Sequence, residues 1–196
     1  MFIETTAEGA AQGELAQWYR SQRDSWGFLP DYAGCFSTHP DVATAWAELN
    51  LTIRGGMDRR RFEIVTIAAA RTRRSTYCTV AHSGFLRDVC GDGPTARALA
   101  LAPDGSTLSA LDAALYVFAT KVAEDASAIE QSDVDTLRQH GLSDAEVADV
   151  VFAVAARAFF ATVLDGLGAR LDAATATTFD RDVLQAMVVG RPVGDG

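Results

Sequence analysis

A cysteine and a histidine spaced by four residues are the first candidates for chemistry in this sequence. Cys78 and His82 project from the same face if the segment is a helix. Phe85 and Val89 continue that face, which indicates that it is at least partly buried. Each residue alone is more typical of an ordinary buried side chain. Together they place a proton acceptor within reach of a thiol, which is the arrangement of an activated nucleophile.

The residues before Cys78 favour its ionised form. We expect Cys78 in the first turn of its helix, where the helix dipole stabilises a thiolate. Three arginines, Arg71, Arg73 and Arg74, lie just upstream and add positive charge. The sequence therefore predicts that Cys78 is the most reactive of the three cysteines in the chain.

A glutamate in the preceding segment is the third candidate. Glu63 and Ile67 fall on one stripe of a predicted helix, among apolar neighbours. A buried carboxylate needs a partner because its desolvation is costly. The alternative is a first-turn glutamate that faces water and is favoured by the helix dipole. The pattern alone does not decide between a buried and a water-facing Glu63. If the apolar faces of the helices that carry Glu63 and His82 pack together, we expect the two side chains to lie close to each other.

The segments that position these residues are predicted as helices. Apolar and charged residues recur at helical spacing, and strand-like alternation is nearly absent, so the sequence predicts an all-α protein. Residues 26–40 are predicted as a structured loop, residues 1–189 as a single domain and residues 190–196 as a flexible tail. The predicted helices span about 10–24, from Pro40 to Gly55, from a cap at Asp58 to Thr72, from Ser75 to Cys90, 106–124, 131–140, from a capping box at Ser143 and Glu146 to Leu167, and 178–189.

Composition limits the classes of function. The chain has 196 residues, 48% of them hydrophobic, which is enough for a sizeable core. A net charge of −9 argues against binding to nucleic acid or to an anionic membrane. Glu4 and Glu8 do not fit a secretory signal, and the apolar stretch 150–164 is interrupted by Arg157 and is short for a membrane span. Three cysteines make no disulfide framework, so we expect a cytoplasmic protein.

The string from Glu63 to His82 resembles the signature of the AhpD-like alkylhydroperoxidases, within the carboxymuconolactone decarboxylase superfamily. That pattern is a glutamate, a Cys-x-x-Cys, and a histidine four residues after the second cysteine. Glu63, Cys78 and His82 stand at the corresponding positions, and the run from Tyr77 to His82 is typical of the peroxidase-related branch. The resemblance covers most of the chain, roughly residues 15–170.

The resemblance implies an AhpD-like bundle of about seven to nine helices, with no cofactor and no metal, that forms a dimer, trimer or hexamer. It implies a thiol antioxidant protein of the peroxiredoxin type, in which Cys78 attacks a hydroperoxide and an external thiol reduces the product. His82 and Glu63 would relay the proton of the thiol. Ser75 and Tyr77 would form hydrogen bonds in the site.

One departure from the family pattern bears on this chemistry. Ser75 stands where the family has its first cysteine, which resolves the oxidised thiol as a disulfide. Serine cannot do so, and three residues before Cys78 it is also well placed to cap the helix. Cys90 lies about 18 Å further along a helix, beyond the roughly 4.4 to 6.8 Å between Cα atoms that a disulfide allows. Cys35 would need a tertiary or inter-subunit contact.

Two other functions remain open from the sequence. The chain could be a redox-inactive member of the family that binds a small ligand, or uses Glu63 and His82 for proton chemistry such as decarboxylation. Alternatively, Cys78, His82 and Glu63 could bind a metal, since thiolate, imidazole and carboxylate are acceptable zinc ligands. The chain offers no second Cys/His pair to complete such a site.

Overall fold

The computed structural model describes residues 1–194, and every regular element in that range is a helix. The all-α fold predicted from the sequence is therefore confirmed. Short 3₁₀ turns lie at Glu8–Ala10, Asp31–Phe36 and Ala126–Ala128. The α-helices are α1 (Gly13–Trp26), α2 (Pro40–Gly55), α3 (Arg59–Thr72), α4 (Thr76–Asp88), α5 (Gly93–Leu101), α6 (Ala110–Asp125), α7 (Gln131–Gln139), α8 (Asp144–Leu167), α9 (Ala173–Ala176) and α10 (Arg181–Met187).

Side-chain caps begin helices α3 and α8. The carboxylate of Asp58 accepts a hydrogen bond from the Arg61 amide at the start of α3. Ser143 and Glu146 form a reciprocal capping box at the start of α8. Such caps satisfy backbone N–H groups that the helix itself leaves unpaired. Both caps were predicted from the sequence, and both are confirmed.

The sequence prediction missed two short helices and misplaced the bounds of three others, among them α1, which was predicted over about 10–24 and spans Gly13–Trp26. Asp92 caps α5 by accepting from the Thr95 amide, although the Gly-Pro pair that follows is typical of loops. The helix predicted from residue 106 begins only at Ala110, where Ser109 is the cap. The last helix, α10, is shorter than the predicted 178–189, and α9 is a single turn.

Helix α3 lies at the centre of the molecule and packs against α4, α6 and α8. Every residue from Phe62 to Ala70 is buried. Buried side chains form two clusters, one around α1, α4, α10 and the end of α8, the other around α3, α6, α7 and the start of α8. Helices α4 and α8 contribute side chains to both clusters. Helix α4 carries Cys78 and α8 carries Arg157, and these two side chains are in contact.

Helix α8 is long and apolar enough to cross a membrane by length and composition, which the sequence analysis had not expected. Its most apolar window has a mean hydropathy of 2.0, and half of that window is buried inside the protein. Arg157 is 3% exposed and interrupts the apolar run. The helix packs against α2, α3 and α6, so its contacts are those of a core helix.

The segment after α10 contacts the start of α4. The Gly190 amide donates to Thr76 Oγ1 at 3.0 Å. Its backbone passes so close to Arg74 that a Cβ at Gly190 would lie 1.8 Å from the Arg74 carbonyl oxygen. Of the tail predicted as flexible over 190–196, residues 195–196 lie outside the described residues.

Candidate functional site

A cavity of about 240 Å³ opens between α1, α2, α3, α4 and α8. Cys78, His82, Glu63 and Tyr77 all line it, whereas Ser75 does not. The structure thus brings four of the five predicted site residues to one pocket. Aromatic side chains form most of its apolar wall: Trp18, Trp26, Trp46, Phe62, Phe85 and Phe160.

Glu63 is completely buried and is held by two partners. Its Oε2 lies 2.5 Å from His82 Nδ1, and its Oε1 accepts from Arg59 Nε at 2.5 Å. The predicted proximity of Glu63 and His82 is observed, and the water-facing alternative is wrong. Burial alone would raise the pKa of Glu63, but the hydrogen bond from His82 and the charge and hydrogen bond of Arg59 outweigh burial and hold the pKa below its usual value. The carboxylate is therefore ionised.

His82 is a neutral base in this arrangement. Burial, with a contribution from the positive charge of Arg157, lowers the pKa of His82 to about 4. A neutral imidazole that donates its Nδ1–H to Glu63 keeps a lone pair on Nε2. His82 lines the cavity, so it can accept a proton from a group bound there.

Cys78 is the third residue of α4, as predicted, and only 2% of its surface is exposed. Its Sγ accepts a hydrogen bond from Arg157 Nη1 at 3.6 Å. Among the hydrogen bonds of residues 1–194, none joins Cys78 to His82. The two side chains share a face and a cavity, but a proton passing between them needs an intervening water or substrate.

Arg157 is the functional candidate that the sequence analysis missed. It comes from the middle of α8 and is almost completely buried. Its guanidinium lies 5.8 Å from the Trp46 ring and 5.4 Å from the Phe160 ring. Within the described part of the chain no carboxylate pairs with it, and its Nε has no hydrogen-bond partner. A lone arginine inside a long apolar stretch was the available signal, since a buried charge requires a partner.

The arginines upstream of α4 do not surround Cys78. Arg71 donates to the carbonyl of Ala186, and Arg74 donates to the carbonyl of Val189. Both therefore bind the C-terminal segment, Arg73 is exposed, and no hydrogen bond joins any of the three to Cys78 within residues 1–194. The positive charge beside Sγ is supplied by α8, which is far from Cys78 in sequence.

The two supporting residues lie in different surroundings. Tyr77 lines the cavity, and its hydroxyl donates to Asp172. Burial and the Asp172 carboxylate raise the pKa of Tyr77 well above its usual value, so the phenol stays protonated. Ser75 occupies the N-cap position of α4 but makes no capping hydrogen bond, so that prediction is wrong. Its buried Oγ lies near Asp165 without hydrogen-bond geometry and has no partner.

The other two cysteines lie outside the cavity, and all three thiols are free. Burial raises the pKa of Cys35 to about 12. Burial also raises the pKa of Cys90, which is partly exposed and packs on the other core cluster. Neither thiol contacts a guanidinium in the way that Cys78 does.

We expect Cys78 to react faster than Cys35 and Cys90 with a small thiol reagent near neutral pH. Thiolate is the nucleophile, and only Cys78 combines a helix start, an arginine contact and a cavity. Peptide mass spectrometry after brief labelling with iodoacetamide measures the three rates in one sample. Faster labelling of Cys90, the most exposed of the three, would show that access rather than activation governs reactivity here.

Among the described residues, no group of three or more His, Cys, Asp and Glu side chains is arranged to hold a metal ion. Arg157 also places a positive charge at the sulfur that the metal hypothesis assigns as a ligand. A cation bound to Cys78 would be repelled by that guanidinium. The geometry therefore disfavours the metal site considered from the sequence.

Comparison with known proteins gives a family match and several similar folds. Residues 40–125, which include Glu63, Cys78 and His82, match the carboxymuconolactone decarboxylase family. A peroxidase-related protein with an alkylhydroperoxidase AhpD core, from Ralstonia eutropha, has 20% identity and a TM-score of 0.78 over 97% of both chains. A peroxidase-related protein from a Silicibacter species has 19% identity and a TM-score of 0.74 over 83% of this chain and 86% of its own.

The debrominase Bmp8, solved as a cysteine-to-alanine variant with 2,3,4-tribromopyrrole, has 16% identity and a TM-score of 0.77. It covers 93% of this chain and 97% of its own. No curated protein matches the chain. At these identities the similar structures establish the AhpD-like fold, and they include proteins named for different reactions.

Proposed function

We propose that this chain is a thiol-dependent peroxidase of the AhpD-like carboxymuconolactone decarboxylase superfamily, which it resembles in residues 40–125 and in fold, and that it reduces hydroperoxides through Cys78. The observation that carries the proposal is the contact between Cys78 Sγ and the buried, otherwise unpaired Arg157. A guanidinium beside a sulfur in a site of low dielectric favours the thiolate, which is the nucleophile toward peroxides. The neutral His82 in the same cavity supplies a base.

The reaction begins when the thiol of Cys78 loses its proton to His82, through a water or the substrate. The thiolate attacks the terminal, hydrogen-bearing oxygen of the hydroperoxide, an S–O bond forms and the O–O bond breaks. The electron pair of the O–O bond leaves with the second oxygen, which takes the proton back from His82. The products are an alcohol, or water from hydrogen peroxide, and a sulfenic acid on Cys78.

Glu63 acts on this proton route through His82. Its carboxylate holds Nδ1 of the imidazole, which fixes the ring and stabilises the imidazolium that forms briefly. Arg59 keeps the carboxylate ionised. Glu63 and Arg59 are thus positioning residues, and His82 is the group that moves the proton.

Return to the thiol requires an external reductant, since Ser75 cannot resolve the sulfenic acid. One small thiol condenses with it to give a mixed disulfide and water. A second thiol then releases Cys78 and forms the disulfide of the reductant. The proposed partners are a hydroperoxide, a small thiol and further copies of this chain in a homo-oligomer, acting in the cytoplasm.

We expect the wild-type protein to consume peroxide continuously when a monothiol is supplied, and Cys78→Ser to lose this activity. Cys35→Ser is the matched control, because it also removes a buried free thiol but lies outside the cavity. Consumption of cumene hydroperoxide, followed colorimetrically with and without thiol, measures the effect. Equal consumption by wild type and Cys78→Ser would contradict the proposal.

A second candidate is proton chemistry without redox cycling, as in decarboxylation. It is favoured by the Glu63–His82 pair, which is complete without Cys78, and by the absence of a resolving cysteine. The debrominase among the similar structures also indicates that this fold hosts other reactions. Release of CO₂ from a carboxylated lactone by Cys78→Ser, at the wild-type rate, would identify this alternative.

A further inference from the structure

The cavity has an excess of positive charge, although the protein as a whole is acidic. Its charged lining consists of Arg54, Arg59 and Arg157 against the single carboxylate of Glu63. Arg59 is paired with Glu63, so two arginines remain. Neither pairs with a carboxylate within the part of the chain that the structure describes. The net charge of the chain is −9, yet no acidic side chain among residues 1–194 forms an ion pair with either arginine.

Two buried polar atoms of the cavity wall also lack partners. They are Nε of Arg157 and Oδ1 of Asn50. Buried polar atoms in folded proteins are usually hydrogen-bonded, and an unpartnered one at a cavity wall points to a ligand or water. Asn50 and Arg54 lie one turn apart on α2 and both line the cavity. Burial and the nearby Arg59 lower the pKa of Arg54, so an anion beside it would relieve an unfavourable charge.

The space between these polar groups is apolar. Trp26, Phe62 and Phe85 line the same cavity, whose volume is about 240 Å³. A cavity of roughly 150 Å³ with apolar walls is large enough for benzene. The pocket therefore has room for one aromatic ring or a short hydrocarbon chain that carries small substituents.

We propose that the substrate of this pocket is a small organic acid hydroperoxide. Its carboxylate would bind Arg54 and Asn50, and its hydroperoxy group would meet Cys78 and Arg157. Arg54 and Asn50 line the cavity from α2, whereas Cys78 and Arg157 line it from α4 and α8, so the two ends of one ring-sized molecule would be held by different helices. Rotation of the Asn50 amide exchanges its two ends, so that it can donate to a carboxylate.

This proposal extends the proposed function by naming a class of substrate. Only the binding of the hydroperoxy group depends on the proposed function. The carboxylate end is tested by binding, without any reaction. We expect Cys78→Ser to bind benzoate at least about tenfold more tightly than benzamide, because a hydrogen-bonded charge is stronger than a neutral contact. Isothermal titration with the two compounds, which have nearly the same size, measures the ratio.

Matched variants locate the effect at Arg54. In the Cys78→Ser background, Arg54→Gln is expected to abolish the preference for benzoate, and Arg54→Lys to retain part of it. Arg181→Gln removes the same charge from an exposed position on α10 and is expected to leave the preference unchanged. Equal affinity for benzoate and benzamide, or a preference that survives Arg54→Gln, would overturn the assignment.

Turnover separates this inference from the proposed function. We expect wild type to have a kcat/KM about tenfold higher for cumene hydroperoxide carrying a para-carboxylate than for cumene hydroperoxide itself, and Arg54→Gln to lose the difference. If neither peroxide oxidises Cys78 while benzoate still binds through Arg54, the peroxidase proposal fails and the anion site stands. Equal kcat/KM for the two peroxides overturns the substrate class.

Discussion

Replacing Arg157 by methionine is expected to slow the oxidation of Cys78 by peroxide about 10- to 100-fold. A hydrogen bond to a charged group contributes roughly 1.5 to 3 kcal/mol, and about 1.4 kcal/mol corresponds to a factor of ten. Methionine retains much of the apolar volume against Trp46 and Phe160, so the loss falls on the charge. Single-turnover oxidation without added thiol, followed by quenched mass spectrometry, measures the rate constant.

Two further measurements distinguish activation from a structural role of Arg157. Arg157→Lys keeps the charge and is expected to retain more of the rate than Arg157→Met. The rate of Arg157→Met is expected to recover at higher pH, where hydroxide removes the thiol proton. In Arg157→Met the thiol of Cys78 can stay protonated, so no buried charge is left without a partner, and the melting temperature of this variant is expected to stay the same or rise. An unchanged rate in the methionine variant would show that Arg157 does not activate Cys78.

Ser75→Cys is expected to convert a protein whose oxidised Cys78 remains a sulfenic acid until an external thiol reduces it into one that closes an internal disulfide without added thiol. Ser75 is the N-cap of α4 and Cys78 is its third residue. The Ser75 hydroxyl does not bond to the amide of Cys78, but the N-cap position lies within one helical turn of Cys78, and rotation about χ1 can turn an introduced thiol toward its sulfenic acid. The resulting Cys-x-x-Cys disulfide is reducible by dithiols.

The readout is peroxide consumed per protein, with dithiothreitol and with no reductant, together with the mass of the oxidised protein. Wild type should show a sulfenic acid, and Ser75→Cys an internal disulfide. Ser83→Cys is the control, because it places a thiol at another buried serine of α4, five residues after Cys78 and on a different face. A Ser75→Cys protein that forms no disulfide would mean that the missing thiol is not what limits this chain.

Local signals allowed much of the fold to be predicted. The cap at Asp58 and the capping box at Ser143 are formed by residues at most three apart, so they are legible in the sequence. The approach of Glu63 to His82 followed from two apolar faces that had to meet. Helix α5 was not predicted because it begins with a Gly-Pro pair, which is typical of loops. The preceding Asp92, which caps the helix, is the residue that could have indicated it.

The electrostatic environment of Cys78 could not be predicted from the sequence in the same way. Arg157 lies 79 residues from Cys78, and their contact depends on how α8 crosses α4. The arginines near Cys78 in sequence turn away to the C-terminal segment instead. The charged residues next to Cys78 in sequence do not predict which charges lie next to it in space. The chain reverses direction before α4, so tertiary packing decides which side chains approach the thiol.

The most direct test of the central claim is the mass of Cys78 after one equivalent of hydroperoxide, with no thiol present. The account predicts a gain of one oxygen atom on the peptide that contains Cys78, in an amount that matches the peroxide lost, and its disappearance when a monothiol is added. Dimedone trapping identifies the product as a sulfenic acid. Peroxide that persists while Cys78 remains a free thiol, or oxidation confined to Cys35 and Cys90, would contradict the account.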